Sequence, residues 1–230
     1  MVITIGGEYG SGSAECARIA AALLGYKVYD DEIAIAVYKI SNSCIDESTL
    51  KYYDERESEA IIDEAADISN CVDRSGMLKS LSLDVLPSDL RLDIAINGAL
   101  KSMAETGDCI LIGRCANYYL RGRDDVISIF FADTHDHKIS RVMKELDCDE
   151  ITAQKVIKKV DKRRADFYSY FTGESWDGAG NYDIRINCAL LGEQGSAKLI
   201  KELVLMKEES RKEKLKPDKH SETRYTALRA

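Results

Sequence analysis

Residues 2–15 read VITIGGEYGSGSAE, a β-branched run that stops abruptly in glycines, and this segment restricts the possible folds more than any other. Residues 2–5 suit a short buried strand. Beyond the glycines, Cys16, Ile19, Ala20 and Leu23 recur at helical spacing, and Gly25 supplies a C-terminal stop. Gly7, Gly10 and Gly12 therefore lie between a strand and a helix. A turn of this kind aims main-chain N–H groups at one point, at the positive end of the helix dipole, and so suits a phosphate. The plainer reading is that a strand-to-helix turn needs glycine only for its backbone angles.

The remaining chain repeats the alternation of strand and helix. Further strands are expected at Lys27–Tyr29, Cys109–Ile112, 127–132 and 182–186, with helices at 32–40, about 90–103, 136–146 and 149–170. Such alternation implies an α/β fold, a central parallel sheet with helices on both faces. The acidic, loosely periodic stretch at about 44–88 reads as a helical insert, and about 160–180 as a lid. Apolar periodicity fades after Lys207, so residues 1–206 are read as one domain and 207–230 as a charged, solvated tail.

Composition narrows the function. With 32 Lys and Arg against 40 Asp and Glu, the net charge of −8 repels a nucleic-acid backbone, so no nucleic acid is expected as a partner. No stretch is long and apolar enough to span a bilayer, and the opening residues lack the pattern of a signal peptide. The 7 cysteines include no CxxC pair, which suits reduced thiols in a cytoplasmic protein and no zinc site.

Against the pattern GxxxxGK[ST], Gly7 and Gly12 fill the glycine positions, while Ser13 stands for the lysine and Ala14 for the hydroxyl residue. The side chains that usually reach the outer phosphates and Mg²⁺ are thus absent. Ser11 and Ser13 offer hydroxyls either to a phosphate or to cap the helix.

The wider set of motifs is more specific. EYGSGSAE after ITI, VYDDE near 30, CILIGRCANYYL at 109–120, DKRRADFYSYFTGESW, and NYDIRINCALLG ending at 192 stand in an order that resembles the cytidylate-kinase-like family, to about residue 205. The resemblance implies a P-loop kinase fold of the nucleoside-monophosphate-kinase type, with an insert and a lid. It also implies ATP as cofactor, with Mg²⁺, and a small-molecule nucleotide as partner. Transfer of the γ-phosphoryl group to a nucleoside monophosphate is the expected activity. Gly7, Tyr9, Gly10, Ser11, Gly12 and Ser13 would surround the donor phosphates. The family's turn commonly reads SREYGSGGRE, so here Gly6-Gly7 replaces Ser-Arg and Ser13-Ala14 replaces Gly-Arg, removing two arginines.

Phosphoryl transfer requires positive charge around the equatorial oxygens, so other cations must serve. Arg114 directly follows a predicted strand, at the sheet edge where open α/β folds bind ligands, and is assigned to the acceptor phosphate. Arg141 resembles a family arginine and is grouped with it, a helix-surface role being the alternative. Lys162, Arg163 and Arg164 are consecutive, and at about 100° per helical residue at most two face one site. The resemblance makes Arg163 and Arg164 lid arginines closing over the transferring group, with Lys162 beside the acceptor. Asp30 matches a family aspartate placed to polarise the acceptor or to order water on Mg²⁺, and otherwise caps a helix. Two alternatives to a monophosphate kinase remain open: a weak or inactive nucleotide-binding protein with a regulatory role, and a small-molecule kinase with a non-nucleotide acceptor.

Overall fold

The computed structural model describes residues 1–30, Ile33 and 88–214. The expected insert at about 44–88 and helix at 32–40 lie almost entirely outside the described residues, as does the end of the chain beyond 214.

In chain order the elements are β1 (Val2–Gly7), α1 (Ser13–Leu24), β2 (Lys27–Tyr29), α2 (Ser88–Glu105), β3 (Cys109–Ile112), α3 (Ala116–Tyr119) and β4 (Val126–Ala132). There follow α4 (His135–Leu146), α5 (Glu150–Thr172), a 3-10 turn at Ala179–Asn181, β5 (Ile184–Asn187) and α6 (Cys188–Lys214). The five strands form one sheet in the order β2-β3-β1-β4-β5, with every adjacent pair parallel.

Each face of the sheet takes alternate residues of its strands. Ile3, Ile5, Ile110, Ile127, Ile129 and Phe131 pack against Ala17, Ala20 and Ala21 of α1 and Ala197, Ile200 and Val204 of α6. Val2, Cys109, Leu111 and Val126 turn the other way, onto Leu92, Ile96, Ala99, Leu100 and Met103 of α2. Burial on both faces is why these strands read as continuous apolar runs. A third, smaller cluster joins α4 to α5 through Ile139, Val142, Ala153 and Ile157, with Tyr9 packed against it.

The helices end where local chemistry stops them. Gly25 closes α1 and Gly173 closes α5, both in the left-handed region, and the Asp149 side chain caps α5 by accepting from the Thr152 amide. Residues 160–172, expected in a lid, are the second half of the continuous helix α5. The expected tail begins later than its composition implied, because α6 runs through Lys214. Lys207 donates to the main-chain oxygen of Val126, and Arg211 reaches Asp124 and Met1. Long cationic side chains laid along the sheet edge hold this polar-looking turn of helix in place.

Because β1 lies between β3 and β4, the connections after β1 and β3 leave to opposite sides. That arrangement opens a crevice at the carboxyl end of β1, the usual ligand position in such sheets. Truncating a residue at the middle of this sheet tests the packing account. Ile110→Ala, at a fully buried position of β3, is expected to lower unfolding free energy by about 2–5 kcal/mol in urea denaturation.

Candidate active site

The crevice is a cavity of about 1090 Å³ walled by the β1–α1 turn, the β3–α3 turn, α4 and α5. Its floor is the segment Gly7–Ser13, and the backbone there divides its polar groups between two sides. On the protein side, the Glu8 amide donates to the Phe131 carbonyl (2.9 Å), Tyr9 to Asp161 Oδ1 (2.7 Å) and Ser11 to the Glu8 carbonyl (3.1 Å). On the cavity side, the amides of Gly10, Gly12, Ser13 and Ala14 donate to no acceptor among the described residues. No side chain caps α1, whose N-cap is Gly12 at φ 77°. Four open amides at an uncapped helix N-terminus form an anion cradle.

Glycine is required here by space as well as by angle. A side chain at Gly12 would bring its first carbon within 2.8 Å of Arg141 Nη2. At Gly7 the same atom would lie 2.9 Å from Phe131 Cβ and 3.0 Å from its carbonyl oxygen. An arginine at position 7 is therefore incompatible with this packing. Arg164 Nη1 donates to the Gly7 carbonyl (2.8 Å), with its guanidinium 5.7 Å from the Tyr9 ring centroid.

Arg141, from α4, stands against Gly12 and donates to Glu193 Oε1 (2.5 Å), while its Nε is buried without a partner. The pairing with Glu193 holds its charge firmly and keeps its pKa raised against the opposing effect of burial. This places Arg141 at the glycine turn. Arg114 reaches the cavity from an unusual backbone: Gly113, Arg114 and Cys115 are all left-handed, with φ of 73°, 53° and 58°. Two non-glycine residues in succession in that region store strain, which clusters at functional turns. The turn is pinned by the Gly113 amide on the Ile5 carbonyl (2.8 Å) and the Ala116 amide on the Gly113 carbonyl (3.0 Å).

Of the other residues singled out from the sequence, Asp30, Arg163, Arg164, Tyr9 and Ser13 line the same cavity. Two do not. Lys162 points outward and pairs with Asp166 (2.5 Å) on an exposed face, as the helical angle between neighbours requires for one of three consecutive cations. Ser11 is fully buried beneath the turn with its hydroxyl unpartnered, so it neither faces the cavity nor caps α1.

Several residues went unnoticed in the sequence. Glu8 Oε2 accepts from Lys138 Nζ (2.9 Å) and from the Asp133 amide (3.1 Å), and Asp161 lies 3.8 Å from the same ammonium. The Asp133 carboxylate, at the end of β4, accepts from the Thr134 and Ala189 amides and pairs with His137. Asn117 and Tyr182 add a polar recess next to Arg114, completed by Tyr168, which the sequence does mark, as one of an aromatic cluster with Phe167, Tyr170, Phe171 and Trp176 suited to a lid hinge or to stacking a base. Of the unnoticed residues, only Asp133 carried a usable signal, an acid at the end of an apolar strand.

ATP and Mg²⁺, implied by the resemblance, can be tested against this donor set. The open amides and Arg141 fit a polyphosphate. No group of three potential metal ligands occurs among the described residues, and Asp133 is saturated by its own partners. Asp30 lines the cavity, as do Glu15 and Glu145, and a single such carboxylate suits a Mg²⁺ ion whose other ligands are phosphate oxygens and water, an arrangement common for this ion.

A family model described as cytidylate kinase-like matches residues 2–189. Among solved structures, an uncharacterized protein from Eubacterium ventriosum is 22% identical, with a TM-score of 0.62, covering 89% of this chain and 98% of its own. Shikimate kinase from Acinetobacter baumannii, in complex with shikimate, is 14% identical with a TM-score of 0.44, covering 89% of this chain and 93% of its own. Shikimate kinase from Bacteroides thetaiotaomicron is 12% identical with a TM-score of 0.45, covering 89% and 98%. No curated protein matches the sequence. No described helix is long and apolar enough to cross a membrane.

The Asp161 contact gives a pH test. Burial raises the Asp161 carboxyl above the ordinary range of an aspartate, with the Tyr9 amide, Lys138 and Arg164 opposing. A folded-state pKa above the unfolded one means the fold holds the proton more tightly. Its contribution to stability is then full below the unfolded pKa and is lost as pH rises through the folded one. Asp161→Asn keeps an acceptor for Tyr9 but cannot ionise. Its stability relative to wild type is expected to grow as pH rises from about 4, the ordinary carboxylate range, towards neutrality, read from urea midpoints at each pH.

Proposed function

The chain belongs to the cytidylate kinase-like family, and on that premise we propose that it is an ATP-dependent phosphotransferase whose acceptor is a nucleoside monophosphate. The observation that carries this reading is the convergence of open turn amides with the guanidinium groups of Arg141, Arg163, Arg164 and Arg114 on one cavity. Such a cavity suits two phosphorylated molecules placed end to end.

In this reading the amides of Gly10, Gly12, Ser13 and Ala14 bind the donor phosphates, and Arg141 supplies the charge that a P-loop lysine would bring to the same end. Arg141 is thus reassigned from acceptor to donor. Its fixed pairing with Glu193 orients the guanidinium before any ligand arrives, so little side-chain freedom is lost on binding. Arg114 holds the acceptor phosphate, and Arg163 on α5 faces the space between the two. Arg164 shapes the turn through Gly7 and contributes long-range charge. ATP would supply the transferable phosphoryl group and Mg²⁺ would neutralise its oxygens, with Asp30 assigned to hold the ion. The aromatic wall formed by Phe167, Tyr168, Trp176 and Tyr182 excludes water from the cavity, which strengthens these electrostatic contacts.

The second reading, binding without transfer, draws on Ser13 and Ala14 at the positions of the usual lysine and hydroxyl. Incubation with ATP, Mg²⁺ and each nucleoside monophosphate, followed by separation of products, decides between them. Formation of ADP with a nucleoside diphosphate is expected, and Arg141→Ala should lower kcat/KM by about 10²–10³-fold, the cost of removing one preorganised charge donor. A rise in melting temperature with ATP but no diphosphate product would leave only the binding reading. Neither stabilisation nor turnover would remove both.

A further inference from the structure

Asn117 on α3 is 8% exposed, yet it forms part of the cavity wall close in sequence to Arg114. Its amide nitrogen donates twice, to the Tyr168 hydroxyl (2.9 Å) and to the main-chain carbonyl of Asn181 (3.1 Å). A carbonyl oxygen only accepts, so turning the Asn117 amide over would set oxygen against oxygen at Asn181. The side chain is therefore locked with its Oδ1 as a pure acceptor, and that oxygen accepts no hydrogen bond among the described residues. Tyr168 is more deeply buried, at 2% exposed, and its oxygen already accepts from Asn117. Its own hydrogen is left to donate.

An acceptor and a donor on two buried residues, held side by side in a cavity wall, form a reading edge. Buried polar groups are costly unless matched, so such an edge rejects ligands that leave it unpaired more strongly than an apolar wall would. The partner must present a donor beside an acceptor. Phe167 and Trp176 line the same cavity and offer flat apolar faces to a planar ring.

We propose that Asn117 and Tyr168 are the specificity-determining residues for the body of the acceptor, and that they select a heterocycle bearing an exocyclic amine beside a ring nitrogen. Oδ1 of Asn117 accepts from the amine and the Tyr168 hydroxyl donates to the ring nitrogen, while Arg114 holds the phosphate. A heterocycle with a carbonyl in place of the amine sets two acceptors face to face at Asn117. The inference rests on the monophosphate reading above and adds to it the residues that choose the base.

Isothermal titration of the full-length protein with CMP, UMP and ribose 5-phosphate tests it, since the first two differ only at this edge and the third lacks a base. CMP is expected to bind about tenfold or more tightly than UMP. Asn117→Ala should bring that ratio close to one, and Tyr168→Phe, which keeps the ring and the Asn181 anchor, should reduce it partway. A merely structural role would weaken both ligands together and leave the ratio unchanged. Equal binding of CMP and UMP, a preference that survives in both variants, or ribose 5-phosphate binding as tightly as CMP would each overturn the inference while leaving a phosphate site intact. If none of the three binds, the monophosphate reading falls with it.

Discussion

Everything at the carboxyl edge of the sheet depends on how one turn disposes of its backbone N–H groups. Between β1 and α1 the chain leaves a buried parallel strand, where each polar group has a ladder partner, and enters a helix, whose first amides have none. The turn resolves this by attaching its outer amides to β4, to α5 and to itself, while the amides of Gly10, Gly12, Ser13 and Ala14 stay turned to the cavity. Unmet donors next to a helix dipole are an energetic liability that an anion would relieve, which is why a turn of this form suits one.

Holding those amides in register calls for bracing from behind. Lys138 of α4 is 8% exposed and meets Glu8 at the turn and Asp161 of α5. A buried ammonium is stable only where its charge finds a partner, and Glu8 at 2.9 Å is the close one, so removing Glu8 would leave Lys138 uncompensated. Through this cluster, and through Arg164 on the Gly7 carbonyl, α4 and α5 are attached to the turn itself. The cavity floor and the helix bearing Arg163 therefore respond together to changes in either.

Much of the fold was legible from hydrophobic pattern alone. The strands at Lys27–Tyr29 and Cys109–Ile112 occur where their apolar runs stand between turn residues, and α4 and α5 start within a residue of the expected positions. The carboxyl end of α6 was not legible, because its support comes from Val126, Asp124 and Met1, far away in the chain. At the site, Gly10, Gly12 and Arg114 stood out because their residue types are unusual where they occur. Glu8, Asp161, Lys138 and Asn117 did not, since an acid, a lysine or an asparagine on a helix or turn carries no local mark of burial. Lys162 and Ser11 misled for the converse reason: their types suit phosphate binding, but helix phase turns one outward and the turn geometry buries the other.

By itself, then, the sequence determined the alternation of strands and helices, the parallel sheet, and a glycine turn ahead of α1, because these follow from periodicities and backbone preferences local to each segment. Tertiary structure decided which side chains meet at that turn. Arg141 comes to rest over Gly12 and Arg164 against Gly7 only because α4 and α5 fold back across the end of β1, bringing together residues more than a hundred positions apart. Charge at a site depends on distances through space, and no local pattern in the chain encodes them.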